Sequence, residues 1–122
     1  MIWKVVIVIA AAVASYFIPT AQELRNAFTA GQNFYASSNF ERAIEQYDLI
    51  INTDSDFLSE DSVRVELFSG EMVVSVVVAA YYQKANAVKN LGDDTKAIEI
   101  FRIVEKRQDE PQLAALAQFQ IY

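Results

Sequence analysis

The sequence predicts a mainly helical protein, with a membrane-spanning helix at its N-terminus and antiparallel helical hairpins after it, interrupted by an inserted β-hairpin. Three observations predict this. Residues 1–18 form an apolar run with a single charge, Lys4. The stretch "NFERAIEQYDLI", residues 39–50, returns in altered form as "DDTKAIEIFRIV", residues 93–104. Between them, "DSVRVELFSGEMVVSVVV" alternates apolar and polar residues on both sides of Ser69-Gly70.

Composition sets the limits within which these elements are read. The chain has 122 residues, 53% of them apolar, and ten basic against sixteen acidic side chains. That fits one small globular domain plus an unusually apolar segment. A net charge of −6 without a basic stripe argues against nucleic acid, because phosphate binding needs clustered Lys and Arg. The chain has no Cys and no His, which removes thiolate nucleophiles, disulfides, the commonest metal ligand and the usual general base near neutral pH.

The first element is the apolar run. From Val5 to Ile18 it has no polar face, so it suits lipid rather than one side of a soluble core. With residues 1–3 included, its helix is roughly 27 Å long, close to a bilayer core. Trp3 at one end and Tyr16 with Phe17 at the other fall where interfacial aromatics belong, and Lys4 can snorkel to the headgroups. Pro19 then stops the helix. Lys4 and the free amine bias the N-terminus toward the cytoplasm, placing residues 20–122 outside, in the periplasm if the cell is bacterial. Ala12-Val13-Ala14 offers a small-x-small cleavage site and hence a removed signal peptide as the alternative, but cutting there leaves a short apolar core. An uncleaved anchor over 1–19 is the expectation.

The next elements are helices. "TAQELRNAFTAGQNFYAS" predicts a helix from about Ala21 to Ala36, and "FERAIEQYDLIIN" a second one. "VAAYYQKANAVKNL" and "DTKAIEIFRIVEKR" predict another pair, turned at Gly92-Asp93. Aligning Ala43 with Ala97 also sets Gly31 over Ala85, Tyr47 over Phe101, Ile44 over Ile98 and Ser38 over Gly92. Small residues let two backbones approach, and the aromatic fills the space above them. After "QDEP", Pro111 suits the first turn of a fifth helix, "QLAALAQFQIY".

The insertion separates the two pairs. Val63, Val65 and Leu67 on one arm fall opposite Met72, Val74 and Val76 on the other if Ser69-Gly70 is the turn, with Arg64, Glu66 and Ser75 on the reverse face. A β-hairpin is therefore expected there, with an extra helix as the alternative. Such a hairpin is marginal alone, so its apolar face needs support, and its unpaired edges invite strand addition.

The paired small and aromatic positions, with "LGDDTKAIEIF" the most characteristic stretch, resemble the tetratricopeptide repeat, a helical hairpin recurring about every 34 residues. The resemblance covers 24–57 and 78–111, sets 58–77 apart as the insertion and leaves 112–122 as a partial third repeat, about two and a half repeats in all. Phe40 fits the family pattern, whereas Asp94 at the equivalent place does not; the first repeat lacks the closing proline and Pro111 stands two places late. The resemblance implies that Gly31, Ala43, Tyr47, Ala85, Ala97 and Phe101 pack the repeats. It also implies a concave surface for an extended peptide or a helix, carried by Arg25, Phe28, Gln32 and Tyr35 from the first repeat and Tyr82, Asn86, Lys89 and Asn90 from the second.

Catalytic constellations are not found. Asp93-Asp94, Glu60-Asp61 and Asp109-Glu110 lie at helix starts or loops, where carboxylates cap amides or stay solvated. An EF-hand reading of the acidic stretch 52–62 fails, because Asn52 stands where the first Asp is needed and no Gly follows at the turn. No Gly-rich phosphate loop occurs either. The expectation is a non-enzymatic scaffold or adaptor in the inner membrane, using no cofactor or metal and binding other proteins. A small accessory subunit of a large membrane complex, or a periplasmic chaperone-like factor in secretion or assembly, is the alternative.

Overall fold

Thr20 opens the first helix of the computed structural model, which describes residues 20–53 and 63–122. Its hydroxyl caps the Glu23 amide, accepting from it at 3.1 Å, and donates to the Glu23 carboxylate at 3.3 Å. Helix α1 runs Ala21–Ala36 and α2 Phe40–Ile51. After strands β1 (Arg64–Leu67) and β2 (Met72–Ser75) come α3 (Val76–Asn90), α4 (Asp94–Glu105) and α5 (Pro111–Ile121). The protein is thus mainly helical, with a two-stranded antiparallel sheet. The expected anchor, with Trp3, Lys4, Tyr16 and Phe17, lies outside the described residues, as does Glu60-Asp61. Among the described residues no helix is long and apolar enough to cross a membrane.

The repetition seen in the sequence extends to backbone detail. Helix α1 ends with Ser38 at φ +62 and the Asn39 amide donating to Phe34 O at 2.9 Å. Helix α3 ends with Gly92 at φ +94 and the Asp93 amide donating to Val88 O at 3.2 Å. Both are Schellman closures, which need one left-handed residue. Asn39 and Asp93 then cap the following helices, accepting from the amides of Arg42 and Lys96. Asp93 is therefore a cap, as expected.

Helical periodicity decides what each helix buries. Leu24, Phe28 and Gly31 face inward from α1, Ala43, Tyr47 and Ile50 from α2, and Ala97, Ile100, Phe101 and Val104 from α4. Gly31 sits directly under the Tyr47 ring: a Cβ there would lie 2.6 Å from Cε1. Phe28 meets Tyr47 at a ring-centroid distance of 6.0 Å, and Tyr82 meets Phe101 at 5.6 Å in the second pair. Ala43, Ala85 and Ala97 are buried at the corresponding contacts.

Helix α3 is the centre of the molecule. Consecutive residues from Val76 to Ala80 are all buried, because α2, α4 and the hairpin surround its first turns. Each helix packs mainly on its chain neighbours, while α1 also touches α3 and α3 also touches α5. This makes an inner row of α1, α3 and α5, backed by α2 and α4.

The hairpin has the register expected from its alternation: Leu67 pairs Met72 and Val65 pairs Val74, and the Val76 amide donates to Val63 O at 2.9 Å. Ser69 and Gly70, at φ +59 and +85, have the φ signature of a type I′ turn, closed by the Glu71 amide donating to Phe68 O. Phe68 also takes a positive φ, +54, unfavourable for an aromatic residue. Its ring meets Tyr82 edge-on at 6.2 Å, which seats the hairpin on the inner helices. Val63, Leu67, Val74 and Val76 are buried there.

One end of the hairpin departs from the expected pattern. Ser75, expected on the face opposite the apolar one, is fully buried, and Glu110, expected to cap amides or stay solvated at a helix start, is 6% exposed. The Glu110 carboxylate accepts from the Ser75 amide at 2.9 Å and from Arg64 Nη1 at 2.6 Å, while Arg64 Nη2 donates to Val73 O at 2.8 Å. This carboxylate makes no cap to its own helix and instead latches the hairpin to the α4–α5 turn. Asp109 does otherwise: a two-point pairing with the Arg107 guanidinium holds its carboxyl below the usual range. The Ser75 hydroxyl is buried without a hydrogen-bond partner among the described residues. Ser75→Ala is therefore expected to raise stability by about 1 kcal/mol in urea melts, since it removes a desolvated polar atom and leaves the amide that Glu110 uses.

Candidate protein-interaction surface

The inner row carries the side chains assigned to a binding groove, but it does not present them all. Phe28 and Tyr82 are each only 4% exposed. Their rings are interior, Phe28 against Tyr47 and Tyr82 between Phe101 and Phe68. The correction has a simple cause. These positions precede the small residues Gly31 and Ala85 by about one helical turn, which turns them into the seam of each helix pair, and Phe68 covers what Tyr82 would otherwise show.

The polar members hold one another. Gln32 Oε1 accepts from the Tyr47 hydroxyl and from Gln83 Nε2 at 3.0 Å, and Gln83 Oε1 accepts from Asn86 Nδ2 at 2.9 Å. Asn90 Nδ2 donates to the Tyr35 hydroxyl at 3.1 Å and to Asn86 O at 2.8 Å. Lys89 Nζ donates to Gln120 Oε1 at 3.0 Å, carrying the network to α5. Beside it, Lys84 pairs with Asp48 at 2.7 Å, joining α3 to α2. Gln83 was missed in the sequence, where an amide inside "VVVAAYYQKANAV" was the only signal.

Burial pushes the Tyr47 hydroxyl well above its ordinary 10.0, with Tyr35 adding to the shift. Tyr82 is raised as well, by burial first, against hydrogen bonds with Asn86 and Gln120 that lower it. The unfolded chain ionises both near the ordinary value. Their contribution is thus intact below pH 10 and falls as pH rises from there toward the folded values. In an alkaline series of thermal melts, Tyr47→Phe is expected to make that fall shallower; an unchanged slope would count against a buried, protonated Tyr47.

Two of the open places among the described residues bear on partner binding. A cleft of about 400 Å³ separates the α1 stripe of Arg25, Phe28, Thr29, Gln32 and Asn33 from Arg64, Val65 and Glu66 of β1. Arg25 stands exposed at this cleft and makes no ion pair among the described residues. The second is the outer side of α5, where Ala115, Gln118, Phe119 and Tyr122 line a groove of about 480 Å³. Phe119 and Tyr122 are 81% and 84% exposed there.

No family model matches the chain, no curated protein matches it, and no solved structure matches it.

Proposed function

We propose that the chain is a non-enzymatic protein-interaction scaffold of the tetratricopeptide type, tethered to the inner membrane by residues 1–19, with its helical domain outside the cytoplasm. The observation that carries this reading is the recurrence of one hairpin design at one sequence offset: the Gly31–Tyr47 nesting, the Ser38 and Gly92 closures and the Asn39 and Asp93 caps. Hairpins stacked in this way leave an inner row for partners, and the α1–β1 cleft is its open part. The anchor rests on the apolar run and its flanking aromatics.

The test is crosslinking of the detergent-solubilised full chain, followed by identification of bound proteins by mass. Partners lost on charge reversal at Arg25 or Lys89 support the scaffold; a chain that captures nothing above background counts against it. Because the sequence has no Cys, Ser37→Cys supplies a single exposed thiol for topology. Labelling by a membrane-impermeant maleimide in intact spheroplasts supports the outward domain, and labelling only after lysis overturns it.

A second reading, an accessory subunit of a large membrane complex, is favoured by the exposed Phe119 on α5 and Tyr122 just after it. Copurification at fixed stoichiometry, lost in Phe119→Ser, supports that reading over transient binding.

A further inference from the structure

Among the described residues, hydrogen bonding along the hairpin leaves one edge unused. Val76 donates to Val63, so antiparallel alternation turns the backbone groups of Val63, Val65 and Leu67 toward β2 and those of Arg64 and Glu66 outward. On β2 the corresponding outer edge is occupied, with Glu110 on the Ser75 amide and Arg64 on Val73 O. On β1, the outward N–H and C=O groups of Arg64 and Glu66 have no partner among the described residues. Arg64 and Glu66, with Val65, line the cleft whose other side is α1.

We infer that the cleft takes an extended segment of another protein, which adds to β1 as a third strand and carries alternating apolar and acidic side chains. The inference rests on the scaffold reading and names what that scaffold grips. Three features select this occupant. Free strand-edge groups are satisfied by a chain about 4.8 Å away running along β1, which at four residues is roughly 13 Å long. The cleft beside α1 has a volume of about 400 Å³, the scale of a few residues of extended chain and not of a second folded hairpin. Val65, half-buried at the cleft, offers an apolar contact to one set of side chains, while Arg25, exposed and without an ion pair among the described residues, complements carboxylates in the other set.

The probe is the peptide acetyl-Thr-Val-Asp-Val-Asp-Val-Thr-amide, titrated into the ¹⁵N-labelled full chain in detergent micelles. The Arg64 and Glu66 amide signals are expected to shift and gain protection from exchange. N-methylation of one alternate set of peptide amides should weaken binding at least tenfold and methylation of the other set much less, since only one set faces β1. The Lys-for-Asp peptide should bind several-fold more weakly, and Arg25→Glu should reverse that preference.

Glu66→Pro removes an outward N–H that the ladder does not use, so it should abolish binding with Tm nearly unchanged. Equal tolerance of methylation on both sets, binding retained in Glu66→Pro, or no binding at millimolar peptide would each overturn strand addition. If Glu66→Pro unfolds the hairpin, the methylation series decides alone. Concentration-dependent dimerisation lost in Glu66→Pro would also overturn it, by assigning the edge to a second copy. Cellular partners kept by Glu66→Pro but lost in Lys89→Glu would reject strand addition and leave the scaffold reading standing. Peptide binding without any captured partner would do the reverse.

Discussion

Gly31→Ala is expected to destabilise the protein by about 1 to 2 kcal/mol, although alanine is the better helix former. Two effects oppose each other. Alanine in a helix interior gains about 1 kcal/mol over glycine. Against it, the new Cβ would lie 2.6 Å from Tyr47 Cε1 and 3.0 Å from Cδ1. That ring is fully buried, faces Phe28 and is tied through its hydroxyl to Gln32, so it cannot swing aside as a flexible chain end would. Overpacking costs about 1 to 3 kcal/mol, and a ring 2.6 Å away that cannot move puts this case in the upper half of that range, above the propensity gain.

Urea denaturation of the parent and Gly31→Ala reads the sign directly. Gly31→Val should lose more, because it adds bulk and β-branching together. Combined with Tyr47→Leu, the alanine should cost much less than it does alone, a favourable coupling of about 0.5 kcal/mol or more in a double-mutant cycle. The second helix pair offers the opposite case. Ala85, at the equivalent position, is fully buried and already carries a methyl group, so Ala85→Gly should lose both packing and propensity. A rise in stability for Gly31→Ala would mean that the two helices approach less closely than the geometry states.

The local half of this architecture was legible because its signals are local. The turn closures at Ser38 and Gly92, the caps at Asn39 and Asp93 and the small residues under Tyr47 and Phe101 all lie within about one helix of what they contact. Hairpin register was legible for the same reason: alternation over residues 63–76 allows one pairing that buries a continuous apolar face. Phe28 and Tyr82 were misplaced because assigning helix faces by resemblance could not say where the hairpin would rest, and Phe68 takes the space above Tyr82. Gln83 shows the same limit, since a lone amide in an apolar run does not announce the partners it finds on α1. Glu110 was the hardest to read. Nothing near it in sequence signals a partner 46 residues away, and its neighbour Asp109 behaves as an ordinary surface carboxylate.

That same long-range contact carries the second large expected effect: Arg64→Met should cost about 2 kcal/mol, and more than Glu110→Gln. Removing one partner of a buried pair leaves an uncompensated charge, a loss of about 3 to 5 kcal/mol when both partners are buried. Here only Glu110 is buried; the Arg64 side chain is 45% exposed, so water screens part of the interaction and the smaller figure applies. Glu110→Gln removes the charge but keeps an oxygen that can accept from the Ser75 amide, so about 1 kcal/mol is expected. The double variant should then cost less than the two single changes summed, because neither charge remains to be stranded. Location matters as much as size. A two-stranded hairpin is marginal by itself, and this latch joins its base to the α4–α5 turn, so hydrogen exchange in Arg64→Met should quicken at Val65, Leu67 and Val74 before it changes in α2 or α4. Uniform acceleration across all helices would instead make the pair part of the global core, and no acceleration would leave the hairpin held by Phe68 and its buried valines alone.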